Sequence, residues 1–406
     1  MGLYKNILVV GNGFDLALNL PTSYLDFMKF FLRFRAEQSN LPIPKPEENN
    51  KSKFYELFKS KMNSLKSSWN DKENSESFEE IILKNPFVLI MIFKYNKNEL
   101  ARAKEVNIQE TTESIRFVGL RNLDVSKLSE QYFKEHDITG NNLNWFNVEE
   151  ILHQIINKED FTKISKTIER FKYSNKSLTN LYGTEEIFAE HDAYKEPYNY
   201  QKLISGLELF KKSLAIYLSS VESFFKEKFL ENFQDVQKLF TDPNFDEIIS
   251  LNYTSFAEKA FQKNQKPCHY PHGYISKKSP ENSEIVLGCY EDITKNRFDT
   301  HFVEFQKFYQ RILYGLGNYE VNSRADKDVL KNIEFFGFSC DPADTELVNA
   351  LLLDANNKIS NSIHKVVVHC YKNKNQNILN LIQCIGKDNV LELTHQSKLE
   401  FKLDSL

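Results

Sequence analysis

Four short stretches carry residue types that could do chemistry together. The first is Val9-Val10-Gly11-Asn12-Gly13-Phe14-Asp15. Two glycines at this spacing let the backbone turn tightly and approach a ligand where a Cβ would clash, and the helix start behind them offers free N–H groups and a positive dipole end. Such a place suits a phosphate or diphosphate, with Asn12 and Asp15 as polar groups beside it. A glycine turn needed for packing alone is the competing reading. The dinucleotide fingerprint G-x-G-x-x-G is incomplete, because Leu16 stands where its third glycine would be.

The second stretch, Ile248-Ile249-Ser250-Leu251-Asn252-Tyr253-Thr254, is an apolar run ending in polar residues. Open α/β sheets place ligands at that end of a strand. Asn252 could donate and accept hydrogen bonds to a ribose or a water, or serve only as a turn former. The third, Cys268-His269-Tyr270-Pro271-His272-Gly273-Tyr274, holds His272 between a proline and a glycine. Imidazole titrates near neutral pH, so His272 is the candidate general base, while His269 and His364 are read as structural. The fourth, Glu334 to Asp341, runs from an apolar strand through Gly337 to the Ser339 hydroxyl, a further place for phosphate or ribose. Asp341 and Asp344 are read as caps of a helix from about Ala343 to Leu353.

These stretches need a sheet to gather them. Residues 6–11 read as a strand and 24–35 as an amphipathic helix. After the proline stretch 41–46 the composition turns to Lys, Glu, Asn and Ser, with helical spacing in Phe54–Trp69, Val148–Phe171 and Gln201–Phe240. From Asp246 short apolar runs return: Glu247–Leu251, Glu284–Cys289, Ile333–Phe338 and Lys365–Cys370. Apolar strands alternating with helices imply a parallel sheet covered on both faces. The expected architecture is therefore α/β, a Rossmann-like, mostly parallel sheet formed by 1–35 and 241–406, split by a predominantly helical insertion over 36–240.

Composition narrows the function classes. A 406-residue chain with 41% hydrophobic residues can bury a sizeable core. Its net charge of -4 gives no support for a broad nucleic-acid-binding surface. Five cysteines without a C-x-x-C pair argue against a disulfide framework or a four-cysteine zinc site, and no metal site is expected. No signal peptide or membrane-length apolar run is visible, so a soluble, cytoplasmic protein is expected.

The order of the motifs says more than any one of them. G-N-G-F-D-L-A-x-x-L-P-T-x-Y-x-D-F at residues 11–27 closely resembles the opening of the AbiH family, bacterial abortive-infection proteins directed against phage. Trp145 to Glu149, Asn252-Tyr253-Thr254, His272-Gly273 and Gly337-Phe338-Ser339 follow in that family's order. The same order is similar to the wider sirtuin-like superfamily, in which a G-A-G-x-S turn, a T-x-N-[YI]-D strand end, an H-G pair and a late G-x-S strand surround NAD. The resemblance puts Gly11, Asn12, Gly13 and Phe14 in the diphosphate turn and Asn252 near the nicotinamide ribose. It puts His272 on the catalytic histidine and Gly337 and Ser339 beside the adenosine half. Asp15 occupies the position of that pattern's serine and Thr254 that of its aspartate.

Defence proteins with such domains typically deplete NAD. The resemblance thus implies an NAD glycohydrolase in which His272, Asn252 and Asp15 act on the ribose or an attacking water. The zinc-binding cysteines of deacetylating sirtuins are absent. Glu149 is either a contributor from the insertion or a first-turn helix charge. A nucleotide-binding regulatory or interaction module is the alternative, and a nuclease ranks last for want of a spaced acidic set. A phage-derived trigger and a homo-oligomer are further expected partners.

Overall fold

The computed structural model describes residues 4–38, 50–70, 76–92, 94–95, 148–156, 200–240, 243–261, 267–289, 300–316, 329–371 and 374–403. Six parallel strands form one sheet: β1 (Tyr4–Val10), β2 (Glu247–Ser250), β3 (Cys268–His269), β4 (Leu330–Phe336), β5 (Ile363–Cys370) and β6 (Leu399–Leu403). Their spatial order is β3-β2-β1-β4-β5-β6. That is the order of the doubly wound dinucleotide-binding folds, and its switch point lies between β1 and β4.

The central strands carry apolar stretches, such as Ile7–Val10 of β1 and Ile248-Ile249 of β2, where both faces are covered. Ile7 and Val9 of β1, Ile249 of β2, Ile333 and Phe335 of β4 and Val366 and Val368 of β5 share one core. Leu347 and Leu351 from the helix Thr345–Leu352 and Leu381 from the helix Lys374–Ile385 close over them. On the other face Phe336 meets Phe14 and Phe240, their ring centres 6.1 and 5.0 Å away. Each such buried ring contributes roughly 2–3 kcal/mol.

Pairing register brings the chemistry-bearing ends together. Val10 pairs with Ser250 of β2 and with Phe336 of β4. The turns after β1, β2 and β4 therefore leave the sheet at one level, on its carboxyl edge.

The chain divides into two compact units. One comprises 1–23, 218–297 and 306–406 and holds the sheet; the other comprises 24–217 and 298–305. The helix Tyr24–Gln38 thus groups with the second unit, whereas the composition change placed that boundary near residue 35. Within the second unit an aromatic core forms because Phe27, Phe30, Phe31 and Phe34 recur at helical spacing. Phe27 lies edge-on to Phe210 at 5.1 Å and Phe30 to Phe54 at 4.8 Å. Buried Arg35 donates to the carbonyls of Ile82 and Leu83, tying off the helix Phe78–Lys84.

Three sequence expectations are corrected here. Glu284–Cys289 is not a strand of the sheet: it is irregular, with Glu284 exposed and Ile285 to Cys289 buried, and Cys289 makes an isolated bridge to Gln306. Val286 N–H donates to the His272 carbonyl, and the Gln310 side chain takes both backbone groups of Leu287. Side chain and loop therefore satisfy the backbone that a neighbouring strand would have taken. Gln201–Phe240 is not one helix, because the backbone breaks at Phe225 between Tyr200–Phe224 and Lys226–Gln237. β3 and β6 complete the sheet where no strand was expected. The helix expected over Val148–Phe171 is seen as Val148–Ile156, with 157–171 outside the described residues.

Candidate functional site at the carboxyl edge of the sheet

The glycine turn is built from backbone packed on backbone. Gly11 N–H donates to Phe336 O at 3.1 Å and Gly13 N–H to Gly337 O at 2.9 Å. A Cβ on Gly11 would sit 2.6 Å from Gly337 O, and one on Gly13 2.5 Å from Gly337 Cα. Close approach of β1 and β4 at the switch point thus demands glycine on both sides. Phe14 N–H bonds to Gly11 O, and the Phe14 ring is buried against Phe261 and Phe336. Asn12 accepts from the Thr22 hydroxyl at 2.9 Å. Ser339, half-buried, has no side-chain partner among the described residues; its carbonyl accepts from Asn380.

Asp15 binds the first motif to the second. Its Oδ1 accepts from Asn252 Nδ2 at 3.1 Å and its Oδ2 lies 2.6 Å from the Thr254 hydroxyl. All three residues are buried. Burial outweighs these bonds and pushes the Asp15 carboxyl up to about 7. A group whose folded pKa is raised binds more protons folded than unfolded, so its contribution is present at low pH and lost as pH rises from about 3.8 to about 7. The stability of the chain relative to its Asp15→Asn variant is therefore expected to fall by up to about 4 kcal/mol between pH 4 and pH 8. Paired denaturation curves across that range check it; a pH-independent difference would contradict it.

His272 sits in a second buried cluster. Gly273 follows it at φ +79°, where a Cβ would lie 2.0 Å from Glu284 O, so the loop carrying His272 is closely packed. His272 Nε2 lies 2.9 Å from Asp344 Oδ1 and 3.1 Å from Arg311 Nη2. Lys307 Nζ and Arg311 Nη2 reach the same Asp344 oxygen at 3.1 and 3.3 Å. Burial would raise the Asp344 carboxyl, but Lys307, His272 and Arg311 hold it well below the carboxylate range. Burial first, and then the two cations, lower His272 to about 4 against the pull of Asp344. Near neutral pH the pair is thus a carboxylate and an uncharged imidazole. A lone pair would repel a carboxylate at 2.9 Å, so Nε2 carries the proton and donates to Asp344 Oδ1; the nearby Arg311 Nη2 then donates to Asp344 Oδ1 and not to Nε2, and Nδ1 is the basic atom.

The sequence reading missed Asp344, Lys307 and Arg311. Asp341 does cap, accepting from Ala343 N–H at 2.9 Å. Asp344 precedes the helix Thr345–Leu352 but makes no side-chain cap bond, because its carboxylate turns to His272 instead. Lys307 and Arg311 lie buried on the helix Lys307–Leu313, a segment in which the sequence reading singled out no residue. His269 pairs with Glu247 at the amino-terminal side of β2, in keeping with a structural role. Glu149 lies in the first turn of Val148–Ile156, inside the second unit, and Trp145 lies outside the described residues.

These features define an α/β protein with a polar, partly charged site on the carboxyl edge of a Rossmann-ordered parallel sheet, interrupted after its first strand by helices. The family model described as bacteriophage abortive infection AbiH matches residues 7–365, and the chain belongs to that family. It is a phage abortive-infection protein. No curated protein and no solved structure matches it. Among the described residues no helix is long and apolar enough to cross a membrane.

Proposed function

We propose that this abortive-infection protein binds NAD and hydrolyses it to nicotinamide and ADP-ribose. The observation that carries the reading is the hydrogen-bonded join between Asp15 of the glycine turn and Asn252 and Thr254 at the end of β2. In the sirtuin-like pattern a turn serine and a strand-end aspartate occupy those two positions. Here the carboxylate and the hydroxyl have changed sides, and they touch at 2.6 Å. The contact links the glycine turn to the asparagine-bearing strand end. The sheet order and the His272-Gly273 loop support the same reading.

In this mechanism the C–N bond to nicotinamide breaks with its electron pair leaving on the ring nitrogen, through an oxocarbenium-like state. Water forms the new C–O bond and gives its proton to His272 Nδ1. Asn252 orients that water or a ribose hydroxyl. A phage-derived trigger, or assembly of copies, would release the activity.

Nicotinamide release from NAD by the purified chain tests the proposal; no release in the presence of lysate from phage-infected cells would sink it. Because His272 is held uncharged down to about pH 4, the acidic limb of that rate is expected near pH 4. A limb near the unperturbed histidine value of about 6.5 would show that another group is the base.

A second reading is a regulatory or interaction module without turnover. It is favoured by the closure of the glycine turn, whose Gly11, Gly13 and Phe14 N–H groups are spent on protein carbonyls and not held free for a diphosphate, against the sequence expectation. Absence of both nicotinamide release and measurable NAD cleavage under activating conditions would select it.

A further inference from the structure

The two edges of the sheet differ. β3 is only two residues long, whereas β6, Leu399-Glu400-Phe401-Lys402-Leu403, presents a five-residue edge. Its register with β5, and the Val366 N–H donated to the Lys398 carbonyl, turn the backbone groups of Lys398, Glu400 and Lys402 towards β5. Successive residues of a strand serve opposite neighbours, so the N–H and C=O groups of Leu399, Phe401 and Leu403 face outward. Among the described residues these outward groups have no partner. Leu399, Phe401 and Leu403 also share one face of the sheet. Leu399 and Phe401 pack against the sheet core, while Leu403 is 65% exposed.

The β6 sequence is a palindrome in which the charge changes sign. Laid antiparallel on a second copy about a two-fold axis at Phe401, it sets Leu399 opposite Leu403, Glu400 opposite Lys402 and Phe401 opposite itself. Residues with outward groups then meet only one another, as an antiparallel hydrogen-bonded ladder requires. Charge fixes the centre, because moving the axis to Glu400 or Lys402 sets that residue against its own copy. We infer that β6 pairs in this way with β6 of a second copy, joining two sheets into one through an isologous interface. A lone lysine on a sheet edge deters pairing, but here each Lys402 meets a carboxylate. Glu400 holds Lys365 through Oε2 at 2.7 Å, leaving Oε1 for Lys402 of the second copy. Lys402 gives one N–H to the Leu239 carbonyl and has others to give. Exposed Leu403 gains an apolar partner in the second copy's Leu399, which extends each core across the joint. The interface lies on the sheet-bearing unit alone and is independent of whether NAD is cleaved.

Sedimentation velocity and hydrogen exchange on the full chain decide it. As concentration rises, the wild type is expected to pass from monomer to a species of twice 47.6 kDa, with exchange over 399–403 slowing in step. Glu400→Lys sets lysines face to face twice in the dimer and is expected to weaken it about tenfold. Adding Lys402→Glu restores opposite charges and is expected to bring the affinity back to within about threefold of wild type. Leu403→Asp, at a position exposed in the monomer, is expected to weaken the dimer about tenfold with circular dichroism unchanged. A wild type that stays monomeric at every concentration overturns the inference. So does a dimer in which exchange over 399–403 ignores concentration, or one that tolerates both Glu400→Lys and Leu403→Asp. Protection of 399–403 in the monomer would assign the edge to another segment of this chain and overturn it equally. The exchange comparison uses the wild type, so it stands even where a variant does not fold.

Discussion

Gly337→Ala is expected to lower the melting temperature of the sheet-bearing unit by about 10 °C, and to leave much of the chain unfolded on expression. Gly337 has φ +60°, a conformation that costs an L residue about 1–2 kcal/mol. The added methyl would stand 2.2 Å from Phe14 N, 2.4 Å from Gly13 C and 2.7 Å from Gly13 Cα. These are backbone atoms that cannot rotate aside. Relief would require β4 to part from the glycine turn, breaking the Gly13–Gly337 bond and moving Asp15 with it. Strain and overlap together belong to the rare class of changes that cost about 4 kcal/mol or more, which in a unit of this size is roughly 10 °C. Gly315→Ala is the control. Gly315 has φ +65° with nothing within 4 Å of a built Cβ, so it carries the conformational cost alone. Equal melting shifts for the two variants would refute the packing argument.

His272→Ala is expected to reduce nicotinamide release by about 10²–10⁴-fold, the range ordinarily lost with a positioned general base. The side chain is anchored at Nε2 by Asp344 and its loop is closely packed at Gly273, so the imidazole is preorganised and not drawn in by substrate. Steady-state kinetics should place most of the loss in kcat. His272→Gln keeps a polar side chain of similar reach and is expected to be as inactive as alanine, since an amide cannot take up the proton. Release within a fewfold of wild type in either variant would assign the base elsewhere.

Much of the sheet is legible from local sequence because the central parallel strands carry short apolar runs. Ile7 to Val10, Ile248 to Leu251 and the trio Ile333, Phe335 and Phe336 advertise burial. The same signal misleads at Ile285-Val286-Leu287, equally buried, where Gln310 and the His272 loop replace a neighbouring strand. Burial is written in composition; the partner of a backbone group is not. β6 is missed for the opposite reason: at the sheet edge Leu399 to Leu403 is only partly covered, so its sequence need not be apolar. At the site, Gly11, Asp15, Asn252 and His272 stand out because each is a polar or glycine exception at a strand end. Asp15 meeting Asn252 and Thr254 is a long-range fact that no local spacing encodes. Asp341 and Asp344 look alike in sequence, and only the approach of His272 decides that one caps a helix while the other does not.

The interruption of the sheet after its first strand has a consequence for the order of events during synthesis. Asn6 of β1 meets Asn332 of β4 across 326 residues of chain, and Ile7 waits for Glu247 of β2. At ribosomal rates of about 5–20 residues per second, β1 emerges roughly 15–60 s before β4 exists to receive it. In that interval its unpaired apolar edge is exposed to any neighbouring nascent strand, which makes the opening of the chain the place where chaperones are most needed. The carboxyl edge that carries Asp15, Asn252, His272 and Asp344 cannot be completed until translation has passed the helix at residue 345, so a product truncated before it lacks the His272–Asp344 pair.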